Sequence, residues 1–197
     1  MGKRDEQKEY RRLQILQIAL EQFIKKGFHG TSTREISKIA GVSSGLMFHY
    51  FDSKEALYEA IIESACGQMT LEYSEDDSPI QIFEEKLKGA LQMVSEHPVA
   101  AKVFLFMSSA AYNAADISPK AAETLARHDI VKQSIPLIEK GQKLGEIRSG
   151  NPHALSISFW CAIQGIAEEL ALNPNNPMPE SDWIMDIIRN NGGKSHD

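Results

Sequence analysis

Cysteine is scarce: the 197 residues hold two, Cys66 and Cys161, far apart in the chain. This excludes a disulfide framework and any paired Cys-x-x-Cys metal or redox motif, and it suits a reducing compartment. Long apolar runs are lacking too. The stretch from Val99 to Ala115 is interrupted by Lys102, Ser108, Ser109 and Asn113 and is short of the ~20 residues that span a bilayer, so no membrane association is expected. The first residues, MGKRDEQKEYRR, have none of the apolar core of an export signal, and a cytoplasmic location is the expectation. The six histidines, His29, His49, His97, His128, His153 and His196, form no His-x-x-x-His or Glu-x-x-His pair; neither metal nor cofactor is expected. Positive charge is not in excess either: 21 Lys+Arg against 27 Asp+Glu give −6, which taken alone argues against a partner as acidic as nucleic acid.

What is present is an ordinary globular composition, 42% apolar and 24% charged, enough for one large domain or two small ones. The charge is unevenly spread. Residues 1–60 hold 10 basic against 8 acidic side chains, and residues 61–197 hold 11 against 19. Five of the basic residues, Lys3, Arg4, Lys8, Arg11 and Arg12, precede the first apolar periodic residue, Leu13, and form a basic arm leading into a helix.

Helical periodicity dominates. Leu13, Leu16, Leu20, Phe23 and Ile24 recur at helical spacing; Lys25 and Lys26 suit the negative end of that helix, and Gly27 ends it. Ser32 and Glu35 read as a capping box opening a short helix to about Ala40. Gly41 permits a tight turn, Ser43 caps a third segment, and Asp52 or Ser53 caps a fourth through Leu57, Ile61 and Ile62. Beyond the acidic break at Glu72–Pro79, helices are expected at roughly 80–95, 99–114, 119–145, 152–172 and 180–190, separated by Pro, Gly and Asn. Pro136 should kink or break the third of these. The expected fold is all-α: an N-terminal three-helix head over 1–60 and a larger helical body over 61–197.

Helix, glycine-containing turn, helix is the layout that sets a second helix in the DNA major groove. Ser43 to Tyr50 carries small and hydrogen-bonding side chains where a core helix would carry Leu or Ile, and small residues at a helix start let backbone N–H groups approach phosphate. A catalytic reading competes: Gly41-Val42-Ser43-Ser44-Gly45 matches the G-x-S-x-G nucleophile elbow with Ser43 as nucleophile. That elbow needs a strand before it, and the preceding residues read as a capped amphipathic helix, so no enzyme is expected. Nor do Glu168 and Glu169 form a carboxylate pair, since helix neighbours point about 100° apart.

The run Phe28-x-x-Thr31-Ser32-Thr33-x-Glu35-Ile36-x-x-x-Ala40-Gly41-Val42-Ser43-x-Gly45-x-Met47-Phe48-x-Tyr50-Phe51-x-Ser53-Lys54-Glu55-x-Leu57 resembles the DNA-binding domain of TetR-family transcriptional regulators. The resemblance covers about residues 10–60 and implies a DNA-binding head on a helical body that dimerises and binds ligands. It implies that Thr33, Ser43, Ser44, Gly45, Leu46, Phe48 and His49 lie at or near DNA, with Tyr50 and Lys54 on phosphates. The family usually has Leu and Tyr where this chain has Met47 and Phe48, so a hydroxyl that often reaches phosphate is missing. Leu46 and Phe48 can meet thymine methyls or serve the core. Lys54, in a first helical turn where a cation is unfavourable, is either a phosphate ligand or an ordinary solvated lysine.

In the body, 99–114 and 152–172 are apolar nearly all round and need two burial partners each. Small residues along 152–172, with Ser158, Ala162 and Gly165 named together with Trp183 and Ile187 of the last helix, make an expected homodimer face. Met93, Phe104, Met107, Tyr112, His128, Trp160 and Gln164 are candidates for an effector cavity, each being equally readable as core. The expectation is a dimeric repressor on palindromic double-stranded DNA, released by a small apolar effector; the alternative is a helical small-molecule-binding protein or enzyme that keeps the head as scaffold.

Overall fold

The computed structural model describes residues 2–68 and 70–192; His196 lies outside them. The described residues contain helices and, besides them, one isolated antiparallel bridge between Ile147 and Arg189. They fall into two compact units, one of residues 1–68 and 105–127, the other of 69–104 and 128–197.

The first unit begins with α1 (Lys3–Gly30), so the basic arm is itself helical. Within α1, Gly27 takes φ 70° and ψ 172°, a backbone conformation essentially reserved for glycine, and the chain turns there. The buried face of α1 is Ile15, Leu16, Ala19, Leu20 and Phe23; Leu13 and Ile24, expected inside, are 54% and 37% exposed. They flank the buried stripe, and the neighbours of α1 do not reach that far around it. After α1 come α2 (Thr33–Ile39), α3 (Ser44–Tyr50) and α4 (Lys54–Gln68). α1 packs on α2 and α4, α2 on α3, and α4 on α7 (Pro119–Arg127). The chain ties α4 to the start of α7 by polar contacts: Ser118 donates to Glu59 at 2.5 Å, and Lys120 reaches Glu59 and Glu63 at 3.2 and 3.0 Å.

The second unit holds α5 (Pro79–Glu96), the first part of α6 (Pro98–Ile117), α8 (Ile130–Gln133), α9 (Ile135–Lys143), α10 (Pro152–Leu172) and α11 (Ser181–Met185). Its core contains Phe83, Leu87, Leu137, Ile138, Phe159, Ile163 and Met185. The segment expected as one helix over 119–145 is three. Asp129 accepts from Lys132 N–H at 3.1 Å and starts α8, and Pro136 stands in the first turn of α9, where its missing N–H has no helical partner to lose. The break therefore precedes Pro136.

α10 is long and apolar enough by composition to cross a membrane, more so than the 99–115 stretch. Five of its residues, Ser156, Phe159, Trp160, Ile163 and Ala167, are nonetheless buried inside the second unit, as in the core helix of a globular domain.

Candidate nucleic-acid interface

The helix-turn-helix is assembled by local hydrogen bonds that the sequence dictates. The Ser32 hydroxyl accepts from Glu35 N–H at 3.2 Å and starts α2. The other half of the expected capping box is absent: the Glu35 carboxylate pairs with Lys26 of α1, binding the head's first two helices. Gly41, at φ 64°, reverses the chain, and Val42 N–H closes the turn on Ser37 O at 3.0 Å. The Ser43 hydroxyl then accepts from Leu46 N–H at 3.1 Å. This is the work of a helix cap, and the residues before it form α2, so the strand that a nucleophile elbow needs is replaced by a helix.

In α3 a single side chain, Met47, is buried, at 0% exposure. The Ser37 hydroxyl lies 3.1 Å from its sulfur and donates to Thr33 O at 2.7 Å. Pinned by that one knob, the helix leaves Ser44, Gly45, Leu46, Phe48 and His49 in solvent, with Tyr50 half-buried and edge-on to His49 at 5.7 Å. Leu46 and Phe48 are 42% and 46% exposed, which places both outside the core of the free protein. Thr33 is half-buried at the start of α2.

The arm faces the same helix. A groove of about 1110 Å³ runs between residues 3–11 of α1 and the α3 helix, with Lys3, Arg4, Lys8 and Arg11 beside Asp5 and Glu6 on one wall and Leu46, His49 and Tyr50 on the other. Arg12 lies 5.5 Å from the Phe51 ring centroid and is paired with Glu9 at 3.3 Å. A concave surface that joins cations to an exposed helix face is what a duplex needs, because cations bind its backbone and the helix face reads base edges.

Lys54 has a place that its sequence context does not reveal. Its ammonium donates to Phe28 O at 2.8 Å and Thr31 O at 2.9 Å and lies 4.2 Å from the Phe28 ring centroid. A cation is unfavourable in the first turn of its own helix but favourable at the carbonyl end of another, and here that is the end of α1.

The residues expected around an effector cavity come from both units. Met107 and Tyr112 belong to the first unit, and Met93, Phe104, His128, Trp160 and Gln164 to the second. Tyr112 is 87% exposed because Phe106, Ala110 and Ala114 define the buried side of α6 and Tyr112 points away from it. Met93 is 39% exposed. Trp160 is core: its ring meets Phe159 edge-on at 5.1 Å and its N–H donates to Ser134 Oγ at 3.0 Å, which lies 2.7 Å from Ser156 Oγ. Phe104 packs against the second unit's core, His128 is half-buried, and Gln164 donates to Glu168 at 3.0 Å. A cleft of about 220 Å³ in this unit is lined instead by Val94, Lys102, Leu170 and Met178 among others.

The residues named for a dimer face are on the surface. Ser158, Gly165 and Trp183 are exposed, and Ala162 and Ile187 are half-buried. Together with Ala154, Ile157 and Cys161, also exposed, they leave one side of α10 small or apolar and uncovered.

Comparison with known proteins agrees with this architecture. Residues 15–61 match the family model for bacterial regulatory proteins of the tetR family. The chain is 27% identical over 172 residues to the HTH-type transcriptional regulator RutR of Escherichia coli, covering 85% of this chain and 78% of that one. It superposes with a TM-score of 0.55 and 26% identity on a tetR-family transcription regulator from Shewanella sp. PV-4, covering 83% of this chain and 87% of the other. AibR, whose structure contains isovaleryl coenzyme A and operator DNA, shares the fold with a TM-score of 0.65 at 16% identity, over 89% of this chain and 94% of AibR. With its exposed α3 presented by a capped helix-turn-helix, the segment 15–61 is a DNA-binding domain of the tetR-family type, and most of the chain is similar to TetR-family transcriptional regulators.

Proposed function

We propose that the protein is a cytoplasmic homodimeric repressor. Residues 1–60 act as the DNA-binding head and residues 61–197 as the dimerisation and effector-binding body. The observation that carries this reading is the α3 face: Leu46 and Phe48 stand in water beside Ser44 and His49, an arrangement that costs solubility unless a partner covers it. The major groove is such a partner, with thymine methyls for the apolar side chains and base edges for His49. Each subunit inserts Ser43 to Tyr50 into one of two successive grooves of a palindromic site. Thr33, Tyr50 and the arm cations hold the flanking phosphates, and Lys54 can add its third proton to one.

The uncovered side of α10 supports the dimer, with Ser158, Ala162 and Gly165 allowing close helix approach and Trp183 and Ile187 adding apolar area. AibR, which shares this fold, forms a complex with isovaleryl coenzyme A. Here a small apolar effector in the body releases the operator. A nearly complete switch needs the effector to prefer the released state by about 10⁴-fold.

A gel shift of the full chain on the DNA upstream of its own gene, at several salt concentrations, tests the reading. The expected result is a discrete complex that Phe48→Ala and His49→Ala weaken on the specific site more than on unrelated DNA. Equal affinity for all sequences would overturn it.

A further inference from the structure

Behind the helix-turn-helix, within the first unit, the Gly27 kink, α4 and the second half of α6 enclose a cleft of about 280 Å³. Its base is aromatic: Phe23, Phe28, Tyr58 and Phe106 pack with ring centroids 5.1 to 6.2 Å apart. Tyr58 is 3% exposed, yet among the described residues its hydroxyl has no hydrogen-bond partner. No fully buried polar side-chain atom among them lacks a partner, so this oxygen reaches open space, and the open space beside Tyr58 is the cleft. A buried tyrosine normally satisfies its hydroxyl; here the partner has to come from the cleft. Burial pushes Tyr58 up to about 12, so the hydroxyl is neutral and can donate or accept.

The rim sets the sign of the charge that fits. Lys26 is engaged by Glu35. Asn113 donates to Ser109 O at 2.8 Å, which leaves its amide oxygen as an acceptor. Asp116 is exposed and has no ion-pair partner among the described residues. His29 is turned edge-on against Phe28 at 5.5 Å. The polar groups left on the rim are the Asp116 carboxylate, the Asn113 amide oxygen and the His29 imidazole, in a cleft whose aromatic rings can attract a cation. The same cluster already carries one cation over a ring, the Lys54 ammonium on Phe28.

We propose that this cleft binds a small aromatic cation of one or two rings, with its ring against Phe28 and Phe106, its N–H groups on Asp116, and the Tyr58 hydroxyl on a heteroatom. The volume is at the lower limit of ligand cavities and sets the size. All of its walls belong to the first unit, with Phe106, Asn113 and Asp116 contributed by the segment 105–127. An occupant lies against Gly27 and Phe28, at the turn that leads into α2.

Calorimetric titration of the full chain with benzamidine, and with benzoate as the same ring of opposite charge, tests the proposal without reference to DNA. Benzamidine should bind saturably, one per chain, at least about tenfold tighter than benzoate. Asp116→Asn, on the surface, should weaken benzamidine by about tenfold, the value of a hydrogen bond to a charged group. Tyr58→Phe, which keeps the packed ring, should weaken it several-fold, and Ser109→Trp, which fills the cleft from an exposed position, should abolish it. No saturable binding, equal binding of benzoate, or benzamidine binding indifferent to all three substitutions would overturn the proposal.

Discussion

At Lys54 one ammonium closes the carbonyl end of α1 and opens α4, which makes it a positioning residue of the head whatever else it touches. Lys54→Met keeps the stem and removes the hydrogen bonds, and is expected to lower stability by about 1–3 kcal/mol, read as a lower urea midpoint. If the lysine also meets a phosphate, the salt dependence of the gel shift becomes shallower by about one ion; with the carbonyls alone, the slope is unchanged. Met47, the sole buried side chain of α3, is a simpler case: Met47→Ala should cost about 2–5 kcal/mol, again seen in the urea midpoint. For Tyr58, burial raises the folded-state value to about 12, whereas the unfolded chain ionises near 10. The folded protein thus keeps a proton that the unfolded chain loses, and stability falls as pH rises through that interval. A spectrophotometric titration should show one of the five tyrosines ionising late, and Tyr58→Phe should remove that step and flatten the alkaline loss of stability.

At the level of the elements, helix ends were legible because their signals are local. Ser32, Ser43 and Ser53 accept from N–H groups three residues on, and Gly27, expected to end α1, kinks it three residues before its last residue, Gly30. Gly27→Ala is expected to cost about 1–3 kcal/mol in backbone strain. A Cβ there would meet nothing within 4 Å, so the loss seen in thermal unfolding would carry no steric part. Less legible was which side of a helix is buried. Periodicity allowed Leu13 and Ile24 in α1, but burial follows α2 and α4, which favour Ile15 and Ala19. The 119–145 segment misled for a related reason: continuous helical spacing hid the Asp129 cap, and the eye was drawn to Pro136, which is compatible with a helix start.

For the molecule as a whole, the uncovered side of α10 is the main unpaid debt of a monomer. Ile157→Lys, at a position 43% exposed, should convert a dimer into a monomer in sedimentation experiments while leaving helical circular dichroism unchanged; a protein already monomeric before substitution would remove the basis for the proposed dimer. The sequence by itself determined an all-helical chain, the helix-turn-helix at Ser32 to Phe51, and the basic arm, because caps, glycines, prolines and charge act over a few residues. Only the tertiary structure decided that Phe48 stands in water, that Lys54 holds the end of α1, that Tyr112 leaves the interior and Trp160 fills it, and that Tyr58 opens on a cleft. Each of these depends on which distant segment packs alongside, and helical periodicity carries no record of the neighbour.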